Sequence, residues 1–198
     1  MSHITDRKIV FTTPWFDVIA KAVAGENPDD PYYTLELDDY VSIVALTEEE
    51  EILLVRQYRP VTESYTLELP SGHVDAGEPP EKAAVRELLE ETGYEVGEIE
   101  LIGCLVPDTG RLGNRLWCYF APNVRLSQEA LAIEEGLELV VCRQEELLQY
   151  VTEGRLDHAL NLAVVLLAIL KGHLSIDLPR TDKDALERCI SLSGHNAV

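Results

Sequence analysis

Glu87 is followed at spacings of three and four residues by Glu90 and Glu91, and it is preceded directly by Arg86. On a helix these spacings share one face, with Cβ atoms about 5–6 Å apart. Like charges so placed cost about 0.2–0.5 kcal/mol per pair on an exposed helix, so positive charge has to sit against the face. Arg86, four residues before Glu90, supplies part of it. A hard divalent cation could supply the rest, since clustered carboxylate oxygens are the ligands that Mg²⁺ and Mn²⁺ prefer. Three glutamates alone would also fit a solvated acidic face. Their surroundings decide between the two.

Gly72, Glu78, Arg86, Glu87, Leu88, Glu90, Glu91, Gly93 and Tyr94 together reproduce the pattern G-x5-E-x7-R-E-U-x-E-E-x-G-U, with Tyr94 where an aliphatic residue is more usual. A strand-like run (YTLELP), a loop (SGHVDAGE), a helix and a further strand surround it in order. The chain therefore resembles the Nudix hydrolases over roughly residues 40–172. RQYRP (56–60) and TLELPSGHVDAGE (66–78) make it similar to the ADP-ribose pyrophosphatase branch of that family. The resemblance implies a Nudix fold of class α/β (α+β), with a mixed sheet sandwiched by helices. It also implies Mg²⁺-assisted (or Mn²⁺-assisted) attack of water on a nucleoside diphosphate sugar. ADP-ribose, cleaved to AMP and ribose 5-phosphate, is the substrate it suggests first. It further implies a homodimer whose N-terminal strands help to build the partner's site.

Roles carry over position by position. Glu87 and Glu91 match the principal metal-ligating carboxylates, and Glu90 stands beside them as ligand, orienter or catalytic group. Ser71 matches a residue whose backbone carbonyl binds metal, and Gly72 lets the chain turn closely there. Glu78 and Arg86 brace loop and helix. The general base is sought in the later acidic segment AIEEGLELVV (132–141), where Glu135 and Glu138 fit an E-x-x-E pattern and Glu134 competes. Arg59 is the candidate phosphate contact, because a guanidinium can grip phosphate oxygens as a bidentate fork. Glu68 is read as a metal or ribose ligand. Arg111 and Arg115, in PDTGRLGNR, could reach the terminal sugar or phosphate, and Trp15 could stack on a base across a dimer. One departure bears on specificity: Thr109 stands where the branch commonly has proline, with Pro107 two positions earlier. That opens GDP-mannose or another nucleotide sugar as the substrate. A non-catalytic nucleotide-binding module is a further reading, which the intact carboxylate set opposes.

The elements that must position these groups follow from period. Residues 8–24, YYTLELDD, YVSIVALT, EILLVRQYR and 65–72 read as strands, separated by GENPDDP and EEEE. At Pro79 the period changes to helical and Gly93 ends the helix. Strands resume at 98–106, 115–124 and 137–142, and helices are expected over 144–154 and 157–172. A short helix is expected in the tail, with a capping box between Thr181 and Asp184. The division expected is an N-terminal strand region, 1–40, serving as a dimerisation element, a Nudix domain, 41–172, and a tail, 173–198.

The 198 residues carry a formal charge of −20, which argues against nucleic-acid or anionic-membrane partners and leaves a small nucleotide substrate. Four scattered cysteines suggest neither a disulfide framework nor a zinc site. The longest charge-free apolar run, 159–170, is too short to span a bilayer, and no signal peptide is apparent. A cytoplasmic protein is expected.

Overall fold

The strand-period segments build two sheets. The computed structural model describes residues 3–27, 29–128 and 135–175. The tail with its Thr181–Asp184 capping box, and Glu134, lie outside the described residues.

The first sheet is antiparallel and comprises β1 (Ile4–Thr12), β2 (Asp17–Val23) and β3 (Tyr32–Glu36) in that order. The sequence reads 8–24 as one run. The structure divides it because Thr13 makes a turn: its Oγ1 accepts the N–H groups of Trp15 and Phe16 and donates to the Phe16 carbonyl. β1 is exposed along its whole length, so this sheet has no core of its own. It joins the rest of the chain through Leu35, whose N–H donates to Arg111 O and whose carbonyl accepts from Gly113 N–H.

The second sheet has eight strands: β4 (Tyr40–Thr47), β5 (Ile52–Arg59), β6 (Ser64–Glu68), β7 (Ser71–His73), β8 (Tyr94–Glu95), β9 (Glu100–Leu105), β10 (Leu116–Leu126) and β11 (Glu138–Cys142). Its spine runs β11-β5-β4-β10-β8, and the β4–β10 pairing is parallel among antiparallel neighbours. The sheet is therefore mixed, as expected. The run at 65–72 is broken into β6 and β7 at Pro70, which has no N–H to give to a ladder.

Side chains of β4 alternate between two cores. Val41, Ile43 and Ala45 face α1 (Pro80–Thr92), meeting Ala83, Ala84 and Leu88. Val44 and Leu46 join the cluster that holds Val164, Val165 and Ala168 of α3 (Ala159–Leu170) and Leu147 of α2 (Gln144–Thr152). Both faces of the sheet are covered, which is why β4 and β5 read as continuous apolar runs. Helix α1 starts on Pro80 and stops on Gly93, whose φ of 75° is left-handed and whose N–H closes on Leu89 O. Among the described residues no helix is long and apolar enough to cross a membrane.

Candidate active site

The last two turns of α1 lie against β7, and the closeness is set by a missing side chain. A Cβ on Gly72 would sit 2.0 Å from the carboxyl carbon of Glu87, so only glycine allows the carboxylate to lie on the strand. One turn later Glu91, 6% exposed, accepts the Ser71 N–H at 2.9 Å. Burial is the main reason its carboxyl is pushed up to about 8. The Ser71 hydrogen bond opposes this, the charge of Glu87 adds to it, Arg59 opposes it and Glu68 adds to it. A carboxyl so placed holds its proton near neutrality unless a cation takes the proton's place.

Arg86 is the hub of the outer part of the cluster. Its Nη1 donates to Glu87 Oε1 at 2.7 Å and to Glu90 Oε2 at 3.2 Å. Its Nη2 donates to Glu78 Oε2 at 2.9 Å and to the His73 carbonyl at 3.0 Å, and its Nε reaches Glu78 Oε1 at 3.2 Å. Glu78 also accepts the Asp75 N–H. Arg86 and Glu78 thus tie the loop before α1 to the helix. The Arg86 hydrogen bond holds the Glu78 carboxyl below the ordinary carboxylate range.

Arg59 and Glu68 stand on the same side of the sheet. Glu68 pairs in register with Val55 of β5, two strand positions from Gln57 and four from Arg59. The Arg59 fork is filled by Glu68, with Nε to Oε1 at 2.8 Å and Nη2 to Oε2 at 2.7 Å, and Thr66 donates to Oε1 at 2.6 Å. Burial works against the charge on Glu68, yet the Arg59 and Thr66 hydrogen bonds hold its carboxyl below the ordinary range. The expected bidentate grip on phosphate is therefore already spent on a carboxylate. Tyr40 lies close by, its ring 4.7 Å from that of His73. Burial raises its phenol, the charge of Asp38 adds to this, and Arg59 opposes it.

Several expected residues are not brought to this cluster. Glu138 pairs in register with Arg56, three positions from Arg59 and so on the opposite face of β5, where Arg56 Nη1 donates to it at 2.9 Å. Glu135 lies in an exposed turn. Arg111 donates to Gly110 O at 2.8 Å, and its guanidinium lies 4.9 Å above the Tyr32 ring. Arg115 contributes its backbone N–H to Asp39. Trp15 is 74% exposed at the β1–β2 turn.

Two residues escape the motif: Asn161 of α3 and Ser42 of β4, both buried and hydrogen-bonded to the 69–71 segment. The available signal was a single amide inside ALNLAVVLLAIL and a hydroxyl inside an apolar strand. Polar groups in such places need partners.

Among the described residues no three His, Cys, Asp or Glu side chains are gathered at metal-holding distance. Arg86 takes an oxygen of both Glu87 and Glu90. The donors still suit Mg²⁺ or Mn²⁺, since Mg²⁺ keeps several waters and commonly uses only one or two carboxylates. The buried Glu91 beside Glu87 is the part of the structure that asks for a cation.

The chain is 33% identical over 118 residues to a methanol dehydrogenase activator of Bacillus methanolicus, covering 59% of this chain and 64% of the relative. It is 34% identical over 122 residues to an ADP-ribose pyrophosphatase of Bacillus subtilis (strain 168), covering 62% and 60%. It is 45% identical over 75 residues to an ADP-sugar pyrophosphatase of Mus musculus, covering 35% and 34%. The matches thus span less than two thirds of each of these relatives. A solved structure described as an ADP compounds hydrolase superposes with a TM-score of 0.73 at 22% identity, covering 88% of this chain and 97% of that one, and shares the fold. The NUDIX domain family model matches residues 37–159, more than half of the chain and the whole of the Gly72–Tyr94 motif, and the chain belongs to that family.

Proposed function

We propose that the protein hydrolyses the pyrophosphate bond of a nucleoside diphosphate sugar, ADP-ribose before others, in a reaction that requires Mg²⁺ or Mn²⁺. The observation that carries this reading is the Glu91 carboxyl, buried beside Glu87 and oriented by the Ser71 N–H. The names of the Bacillus subtilis and mouse relatives support the substrate class. Glu87, Glu91 and the Ser71 carbonyl would hold the cation, which when bound neutralises the pyrophosphate and lowers the pKa of the attacking water. Arg86 keeps Glu87 turned toward Gly72, and the Arg59–Glu68 pair sits beside the cluster as the contact for ribose or phosphate. Water adds to one phosphorus, the bridging P–O bond breaks, and the water's proton passes to a carboxylate. Glu90, Glu135 and Glu138 are the candidates for that task, with Glu134 outside the described residues; Glu138 would first have to leave its exposed pairing with Arg56.

The exposed Phe11 and Tyr33 on one face of the first sheet support a homodimer, with Trp15 and Arg111 carried toward the partner's substrate site. Cys104, Cys118 and Cys142 are free thiols, which fits the reducing cytoplasm.

The test is a panel of ADP-ribose, GDP-mannose and other nucleotide sugars with Mg²⁺ or Mn²⁺, reading the released monophosphate. AMP from ADP-ribose is expected. Glu91→Gln, which keeps the Ser71 hydrogen bond, is expected to lower kcat by at least about 100-fold, since even groups behind a metal's ligands are worth 10–100-fold. Calorimetric binding of a nucleotide sugar with no product under either metal would overturn hydrolysis in favour of a binding module.

A further inference from the structure

Asn161 is 1% exposed on an otherwise apolar helix, on the side of the sheet away from α1. Its Oδ1 accepts the Leu69 N–H at 3.1 Å, and its Nδ2 donates to Ser42 Oγ at 3.5 Å. The Ser42 and Ser71 hydroxyls are 2.9 Å apart, and Ser71 Oγ lies 2.8 Å from the Leu69 carbonyl. Ser71 has a single hydroxyl proton, and Leu69 O can only accept, so the proton between the two serines comes from Ser42. The hydrogen bonds then run one way round a ring: Asn161 to Ser42 to Ser71 to Leu69 O, with Leu69 N–H returning to Asn161.

This ring grips the segment that leads into the metal-binding residues. Leu69 N–H and Leu69 C=O belong to the ring, Pro70 C=O accepts the Ile43 N–H at 3.0 Å, and Ser71 N–H holds Glu91. Pro70 has no N–H. Every backbone polar group from Leu69 N–H to Ser71 N–H is therefore fixed, from three elements: α3, β4 and α1. The stronger hold on the buried amide is the Leu69 N–H at 3.1 Å, and Ser42 at 3.5 Å is a longer contact to its other end. Mere docking of α3 needs no such group, since Val164, Val165 and Ala168 already fill the core beneath it.

We infer that Asn161, acting through Ser42, is a positioning residue that sets the Ser71 backbone, and through it Glu91, in cation-binding geometry. The inference rests on the metal reading proposed above. It makes α3 part of the active-site architecture through its hydrogen bonds to the 69–71 segment rather than through a place in the glutamate cluster.

The test measures Mn²⁺ binding by calorimetry in the absence of nucleotide, with kcat and KM measured separately, for the full chain and for Asn161→Ala, Ser42→Ala and Val165→Ala. Both ring variants are expected to bind Mn²⁺ about 10-fold more weakly and to lose kcat with KM for the nucleotide sugar unchanged. Val165→Ala, which loosens the same helix without touching the ring, is expected to lower Tm and leave Mn²⁺ affinity alone. Should Asn161→Ala fail to fold, Ser42→Ala carries the test, since it removes one oxygen and no packing atom of α3. Wild-type Mn²⁺ affinity in the ring variants overturns the inference alone, as does an equal loss in Val165→Ala. Wild-type protein that binds no Mn²⁺ overturns the metal reading and this inference together.

Discussion

Removing Arg59 strands a carboxylate that is almost wholly out of water. The Glu68 side chain is 5% exposed against 40% for Arg59, so the two ends of the pair are unequal. Arg59→Ala leaves a buried charge with only Thr66 to satisfy it, and the expected cost is roughly 2–3 kcal/mol, below that of a fully buried pair because Arg59 is partly solvated. Adding Glu68→Gln removes the stranded charge and should recover at least half of the loss in urea denaturation. A double variant no more stable than Arg59→Ala would show that the pair is not what Arg59 contributes. If Arg59 also touches substrate, the stabilised double variant still has a raised KM. At this scale the sequence was strong wherever the motif reached. Gly72, Glu78, Arg86, Glu87 and Glu91 meet as their spacing required. It was weak wherever a role depended on strand register. Glu138 fits an acidic pattern in the linear sequence, but a residue's face on a strand reverses at every step, and only the pairing with Arg56 reveals which way it points.

At the scale of elements, legibility followed local punctuation. Helix α1 was readable because Pro80 and Gly93 mark its ends, and the 65–72 run was misread as continuous because Pro70 breaks a ladder without changing the apolar alternation. The two faces of β4 could not be told apart, since helices cover both. Strands β10 and β11 also bury two thiols whose titration tests that burial. Cys118 in β10 is held up to about 12 by burial first and by Cys104 second. Cys142 in β11 is held up to about 12 by burial, then by Glu146 and Glu51. Below pH 9 these thiols are protonated in both folded and unfolded chains, so they have no effect on the pH dependence there. Above pH 9 the unfolded chain releases the protons and the folded chain keeps them, so stability falls as pH rises until about 12. Each thiol should contribute at most about 1.4 kcal/mol per pH unit over that window. Chemical denaturation at pH 8.5 and 10.5 should show a smaller alkaline loss for Cys118→Ala than for wild type. Equal slopes would mean that water reaches the thiol in the folded protein.

At the scale of the whole molecule, the described residues leave the first sheet uncovered. The three-stranded sheet presents Ile9, Val10, Phe11, Tyr33 and Trp15 to solvent, Phe11 at 60% and Trp15 at 74% exposure. A sheet of this size with no described helix packed on it is marginal by itself, and Phe11 and Tyr33, which share a face of it, are exposed apolar groups that call for a cover. A second copy is the cover proposed above, and the charge makes that proposal testable in an unusual direction. Each chain carries −20, so two copies repel over long range while their apolar strands attract at contact. Salt screens the first and leaves the second, because the Debye length falls from about 30 Å at 0.01 M to about 10 Å at 0.1 M. The dimer should therefore tighten as ionic strength rises, whereas an association held by ion pairs would loosen. Phe11→Asp places a carboxylate on the attracting face and should leave a monomer at both salt concentrations by sedimentation velocity. Its Nudix domain should stay folded, because β1 contributes nothing to either core cluster. If Trp15 and Arg111 serve the partner's site, that monomer loses turnover although its own Glu87 and Glu91 are intact. A monomeric Phe11→Asp protein with wild-type kcat and KM would show instead that each chain carries a complete site.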